Sequence, residues 1–282
     1  MSDLYRTISS DPDLSNPYKF VIRICDDLKN SKELTLALIK RDIKAQYRQS
    51  FLGYIWAILP PLFTTITFSI LNASNIINVS NLPIAYPAFA MIGSLLWQFF
   101  VDSLNAPINS ITANASMMNQ VNFPREALIF AGLGNVIFNF IIRLFLLIPV
   151  FLLFDINLKW EIIYSLIGIS SIFLLGTATG LLLAPLSMLY SDIQRLLALF
   201  MGFWMLLSPV VYPPNQSNIF LKLLSEINPI APLLTSTRNW IISEPQIISG
   251  SFFLVIIVSL FALIGSWFIY RLALPHLIAR VS

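Results

Sequence analysis

The 282 residues are 57% hydrophobic and only 11% charged, with a mean hydropathy of +0.77 and a formal charge of +3. A soluble domain carries about 25% charged residues, so this composition excludes a large soluble domain acting alone and points to the bilayer as solvent. One cysteine, Cys25, and one histidine, His276, exclude an internal disulfide, a Cys-based zinc cluster and a histidine metal site.

Residues 1–32 are polar and turn-rich and lack the apolar run of a signal peptide, so membrane entry is expected to rest on internal spans. Residues 33–52 read as an amphipathic interface helix. Leu36, Ile39, Ile43 and Tyr47 recur at spacings of three and four, which puts them on one face. Lys40, Arg41, Lys44 and Arg48 lie beside that stripe, and Asp42 can pair with a neighbouring cation. Such a helix lies in the headgroup layer, cations toward lipid phosphates.

The first span begins near Gly53 and contains Pro60 and Pro61, kinks that membrane bundles tolerate. A polar loop over 72–81 leads to the second span at 84–104. Residues 105–125 are polar, uncharged until Arg125, and read as a loop. The third span covers 126–154. Pro124 suits its first turn, and Glu126 suits the positive end of its dipole. The fourth runs over 162–190 and the fifth over 196–212. Residues 213–249 are broken by prolines and either re-enter the membrane or lie on it. The last span covers 251–270, and 274–282 form a tail. The expectation is an all-α integral membrane protein with six spans of roughly 20 residues each within 53–273.

Basic residues set the orientation. Nine Lys/Arg precede residue 53, and Arg125, Arg195, Arg271 and Arg280 fall on that same side, against Lys159, Lys222 and Arg238 on the other. Both ends and the 105–125 loop are therefore expected in the cytoplasm, and 213–249 outside.

Arg143 stands alone in the apolar third span. A central Arg costs about 2.5–3.5 kcal/mol on insertion scales, so it should face protein, water or substrate. Two readings stay open: contact with phosphate or sugar along a conduit, or pairing with polar side chains or carbonyls, with Asn139 one turn away. Trp97, Phe99 and Phe100 cluster in the second span, and Trp204 and Tyr212 lie in the fifth. Such rings can stack on sugar faces or anchor at the interface. Gly176-x-x-x-Gly180 is a packing motif, expected to act within the subunit.

Residues Arg41–Pro61 (RDIKAQYRQSFLGYIWAILPP) resemble the permease subunits of ABC exporters that move surface polysaccharides, the O-antigen, capsule and teichoic-acid group. Arg41, Asp42, Tyr47, Gln49, Ser50, Leu52, Gly53, Trp56 and Ala57 fit that family's pattern. Three further matches follow in order: Asn122-Phe123-Pro124-Arg125-Glu126, then Ser208-Pro209-Val210-Val211-Tyr212-Pro213, then Asn228-Pro229 with Arg238. The resemblance covers about 33–275.

The resemblance implies a homodimer in the cytoplasmic membrane of a bacterium that passes a lipid-linked glycan, with a cytoplasmic ATPase subunit under each copy. Nucleic acid is not an expected partner, and membrane lipids are. The chain has no GxxxxGK[ST] loop, so ATP would be bound by the partner and no cofactor or catalytic residue is expected here. Asn114–Val121 reads as a coupling helix, with Asn114, Met117, Met118, Asn119 and Gln120 as contacts and Arg125 and Glu126 locking its base. A plain solvated loop is the other reading. The cationic helix is read as touching the partner rather than serving only as an anchor. In that family the first and fifth spans flank the conduit, which makes Tyr54, Trp56, Trp204 and Tyr212 candidates beside Arg143. One alternative is the same architecture moving a drug or small lipid. Another is a membrane-embedded transferase, against which Asp102, Asp155, Asp192 and Glu161 stand isolated in sequence and His276 lies in the tail.

Overall fold

The computed structural model describes residues 31–48, 51–77, 79, 82–114, 125–157, 159–214, 219–244 and 249–281. Among them there are helices and no strand. Helix α1 (Lys32–Arg48) carries Glu33 in its first turn and Arg48 in its last, charges that complement the helix dipole. Gly53, at φ +50°, then turns the chain into α2 (Ile55–Ala73). A side chain there would be strained in that left-handed conformation.

Helix α3 (Tyr86–Ala113) starts with a proline in its first turn. Helices α4 (Glu126–Leu144) and α5 (Leu147–Leu153) form one run, followed by α6 (Ile162–Leu189) and α7 (Asp192–Leu207). Two short helices, α8 (Ile219–Ile227) and α9 (Ile230–Ile241), precede the long α10 (Gly250–Val281).

Five of the described helices are long and apolar enough to cross a membrane: Ile55–Ala73, Tyr86–Ala113, Glu126–Leu153, Ile162–Leu189 and Gly250–Ala273. The fifth predicted span, 196–212, takes a different form. Helix α7 has 16 residues, about 24 Å by the helical rise, short of a hydrocarbon core of roughly 30 Å. It stops because Ser208 precedes Pro209 and is extended, at φ −101° and ψ 149°, as a residue before proline prefers.

The 105–125 loop is also shorter than expected, because α3 runs on to Ala113. The hydroxyl of Thr112 folds back onto the Ile108 carbonyl, 2.9 Å away, and Asn114 Nδ2 donates to the Ser110 carbonyl at 2.8 Å. Polar side chains that look loop-forming in sequence here bond to their own helix.

Helix α3 is the centre of the bundle, with Ala88, Phe100 and Ile108 fully enclosed. Helix α6 packs directly on it. A Cβ at Gly176 would sit 2.9 Å from the Phe100 carbonyl oxygen, and one at Gly180 only 2.1 Å from that of Leu104. The Gly176-x-x-x-Gly180 pair thus serves a backbone approach inside the subunit. Helices α4 and α2 flank α3, α9 and α10 cover α6, and α1 lies along α4.

The last contact changes the face of α1. Leu38 is buried and Ile39 and Leu34 pack beside it, whereas Leu36 of the predicted stripe is half exposed. Ile39, a member of the predicted stripe, reaches Gly134 of α4, so part of that stripe is taken up by contact with the bundle. The periphery is apolar: Phe63, Ile70, Leu199, Phe203, Phe261 and Ile264 are all exposed, as lipid-facing side chains are.

Candidate functional site

Three clusters of polar side chains lie along the bundle, one at each end and one midway. At the first end, α3 and the α4–α5 run each have 28 residues, about 42 Å by the helical rise. They are longer than a hydrocarbon core of roughly 30 Å and end here, at Ala113 and Glu126, as a two-helix stalk. Gln194 Nε2 of α7 donates to the Thr112 hydroxyl at 3.1 Å, tying α7 to this stalk.

At its base Glu126 is buried and meets Arg271 of α10, with Arg271 Nη2 2.5 Å from Glu126 Oε1. The fully enclosed ring of Tyr270 adjoins them. Partial burial lowers the pKa of Arg125, and the neighbouring Tyr270 and Glu126 pull it back up. Glu126, expected beside Arg125 at the base of a coupling helix, is paired here with Arg271, whose place just after the last apolar run signals only topology in the sequence. Met117, Met118, Asn119 and Gln120 lie outside the described residues.

Lys40, Arg41, Lys44 and Arg48 point outward from α1, and Arg41 Nε contacts Asp42 Oδ1 at 2.8 Å. An exposed pair of this kind contributes little to stability. The face is an exposed cationic surface.

Midway, Arg143 is 5% exposed and bonded within the subunit. Its Nη1 forms an ion pair with Asp102 of α3, and its Nε donates to the Ala57 carbonyl of α2 at 2.7 Å. Gln98 Nε2, one turn along α3, donates to the other carboxylate oxygen of Asp102 at 2.8 Å. Asp102, isolated in sequence, is thus the acid that Arg143 faces, and the pairing reading of Arg143 describes this geometry. The signal that could have found it is one lone acid and one lone base in consecutive apolar spans.

Beside this pair a half-open groove of about 200 Å³ runs between α2, α3 and α7, with Pro61, Thr64, Trp97, Gln98, Gly202 and Met205 among its walls.

At the opposite end, two segments distant in sequence close on each other. The Asn228 side chain accepts from Trp204 Nε1 at 3.1 Å, donates to the Ser208 hydroxyl at 2.8 Å and accepts the Ile230 N–H at 3.2 Å. Arg238 of α9 donates to the Pro209 carbonyl and lies 3.9 Å above the centre of the Phe89 ring, a cation–π contact. Burial pushes its pKa down to about 9, with Tyr86 opposing, so it is still charged at neutral pH.

Gly93 of α3 admits this arrangement: a Cβ there would lie 2.0 Å from the Val210 carbonyl oxygen and 3.0 Å from Arg238. Thr237 meets Gly168 of α6, so α9 is sunk among the helix ends rather than resting on them. The backbone N–H of Lys159 donates to Ser243, which puts the 155–161 connection at this same end.

The aromatic conduit candidates divide. Tyr54, just before α2, and Trp56 in its first turn are half exposed, with the Tyr54 ring 6.3 Å from that of Phe138. Trp204 packs edge-on against Trp97 at 6.2 Å and Phe100 at 5.7 Å, and Tyr212 is buried. These last two belong to the subunit's own packing.

Residues 33–242 match a family model described as ABC-2 type transporter. The chain is 25% identical over 222 residues to the O-antigen export system permease protein RfbA of Myxococcus xanthus, covering 77% of this chain and 83% of that one. It is 26% identical over 215 residues to a protein of the same name from Klebsiella pneumoniae, covering 73% and 79%. A second Klebsiella pneumoniae permease of that name is 25% identical over 216 residues, with the same coverage.

Proposed function

We infer that this chain, which belongs to the ABC-2 type transporter family, is the permease subunit of an exporter for a lipid-linked polysaccharide. The observation that carries the reading is its similarity to O-antigen export permeases across most of its length. Two copies would form the conduit in a bacterial cytoplasmic membrane, each above a separate cytoplasmic ATPase subunit that binds the ATP.

The geometry supports a mechanical role. Of α2 only Ala57, Pro61 and Thr65 are buried, and of α7 only Met201. These helices border the groove and leave broad apolar faces for a second copy or lipid. A glycan cannot shed its water in hydrocarbon, since each unpaired hydroxyl costs several kcal/mol, roughly 2–7 by the reference state chosen. A path between two movable walls with polar and aromatic side chains avoids that cost.

A push on the 114–125 connection reaches α10 through Glu126 and Arg271, and α1 through α4. The cationic face of α1 holds the assembly at the headgroups and offers the partner a second contact. Both chain ends and the 114–125 connection lie on the cytoplasmic side in this reading, with 208–244 outside.

The test is purification of the full chain from its native membrane under mild detergent. A stable complex with an ATPase subunit, two copies of each, and cytoplasmic build-up of lipid-linked glycan when this gene is deleted are the expected results. Export that persists after deletion of every candidate ATPase would refute the assignment.

A further inference from the structure

Helix α2 is a lightly anchored wall of the groove, and polar groups meet its buried stripe. Its three buried residues, Ala57, Pro61 and Thr65, are spaced by four and form one stripe. Each is met by a hydrogen-bonding group. Thr65 faces the Ser94 hydroxyl at 3.3 Å, the Ser94 hydroxyl is shared between the Met91 carbonyl at 3.0 Å and the Pro61 carbonyl at 3.4 Å, and Arg143 donates to the Ala57 carbonyl at 2.7 Å. The last bond has a cause in the sequence. The helical partner of the Ala57 carbonyl would be the N–H of residue 61, and residue 61 is a proline without one.

We propose that Arg143 is a positioning residue that takes the place of this missing backbone donor, so that the Asp102–Arg143 pair latches the kinked α2 onto α3 and α4 and sets the resting position of the groove wall. Asp102 holds the guanidinium in place, and Gln98 holds Asp102 while itself lining the groove. A cargo that draws Gln98 away loosens the carboxylate, then the arginine, then the helix. That consequence for transport rests on the export reading; the latch does not.

The experiment uses the full chain with Cys25→Ser and a cysteine pair, Y54C and F138C, bridged by a short bifunctional thiol reagent in native membranes. D102N/R143M removes the latch without leaving a buried charge. Its bridging rate should fall about tenfold, the weight of one charge-assisted hydrogen bond. Adding P61A returns an N–H to residue 61, which satisfies the Ala57 carbonyl within α2 but does not tie α2 back to α3 and α4, so accumulation should recover while the bridging rate stays low; a generally loosened core would recover neither. An unchanged rate in D102N/R143M, or a loss that P61A reverses, overturns the latch. If D102N/R143M fails to accumulate, P61A/D102N/R143M decides alone: an accumulated chain with a low bridging rate supports the latch, and a wild-type rate or continued failure to accumulate overturns it. Bridging that follows the expected pattern in a chain that exports no glycan keeps the latch and removes the export reading.

Discussion

Among the described residues two arginines are buried, and they are held in opposite ways. Arg143, midway, faces a carboxylate, and Arg238, at the far end, faces a carbonyl and the ring of Phe89. The first is a matter of charge: remove it and Asp102 is stranded. The second is a matter of shape: Arg238 occupies a space bounded by Val210, Gly93 and Phe89, and no acid depends on it among its described contacts. The middle of the bundle therefore tolerates paired substitution, whereas the far end tolerates little change of volume.

R143M alone should have the largest effect, about 2–3 kcal/mol, because it removes a charge-assisted bond and strands a half-buried carboxylate. Thermal unfolding in detergent should show most of that loss recovered in D102N/R143M. A double variant no more stable than the single one would remove charge from the account of Arg143.

Next comes G93A, which needs no change of charge. Its Cβ would overlap the Val210 carbonyl, and overpacking of this kind costs about 1–3 kcal/mol. G265A, in open space, should be neutral by the same measurement, and equal effects at the two would show the far end to be soft.

N228A loses three hydrogen bonds around one side chain and should cost about 1–2 kcal/mol. The Trp204 indole, freed from its acceptor, should show a shifted emission, measured against W204F. The smallest effect on stability, within about 0.5 kcal/mol, belongs to Y54A and W56A, exposed at the start of α2. Transport by the assembled exporter should change more in these two than their stability does. Unaltered export in the Y54A/W56A double variant would remove α2 from the conduit.

Much of the fold is legible in the amino-acid sequence. Long apolar runs specify the all-α membrane architecture, and the spacing of Gly176 and Gly180 marks a close approach. The outer motifs, Ser208–Pro213 and Asn228-Pro229 with Arg238, stand out as strings, but not as one lock. Nothing local in either string shows that Asn228 completes Ser208 or that Arg238 completes Pro209, because those bonds link residues 20 and 29 positions apart.

The Asp102–Arg143 pair, 41 positions apart, is hidden for the same reason. Hydropathy overextends α7, because it continues through Val210 and Val211 after Pro209 has ended the helix. Periodicity groups Ile39 with the apolar stripe of α1 but does not show that Ile39 and Leu38 pack on the bundle.

The central claim is that the connection between α3 and α4 stands on the ATPase side of the membrane. In a Cys25→Ser background, N119C and N75C are placed singly and treated with an impermeant maleimide added outside intact cells, then to inverted vesicles. N119C should react only in the inverted vesicles and N75C only from outside. Ready labelling of N119C from outside would turn the protein over and take the coupling role with it.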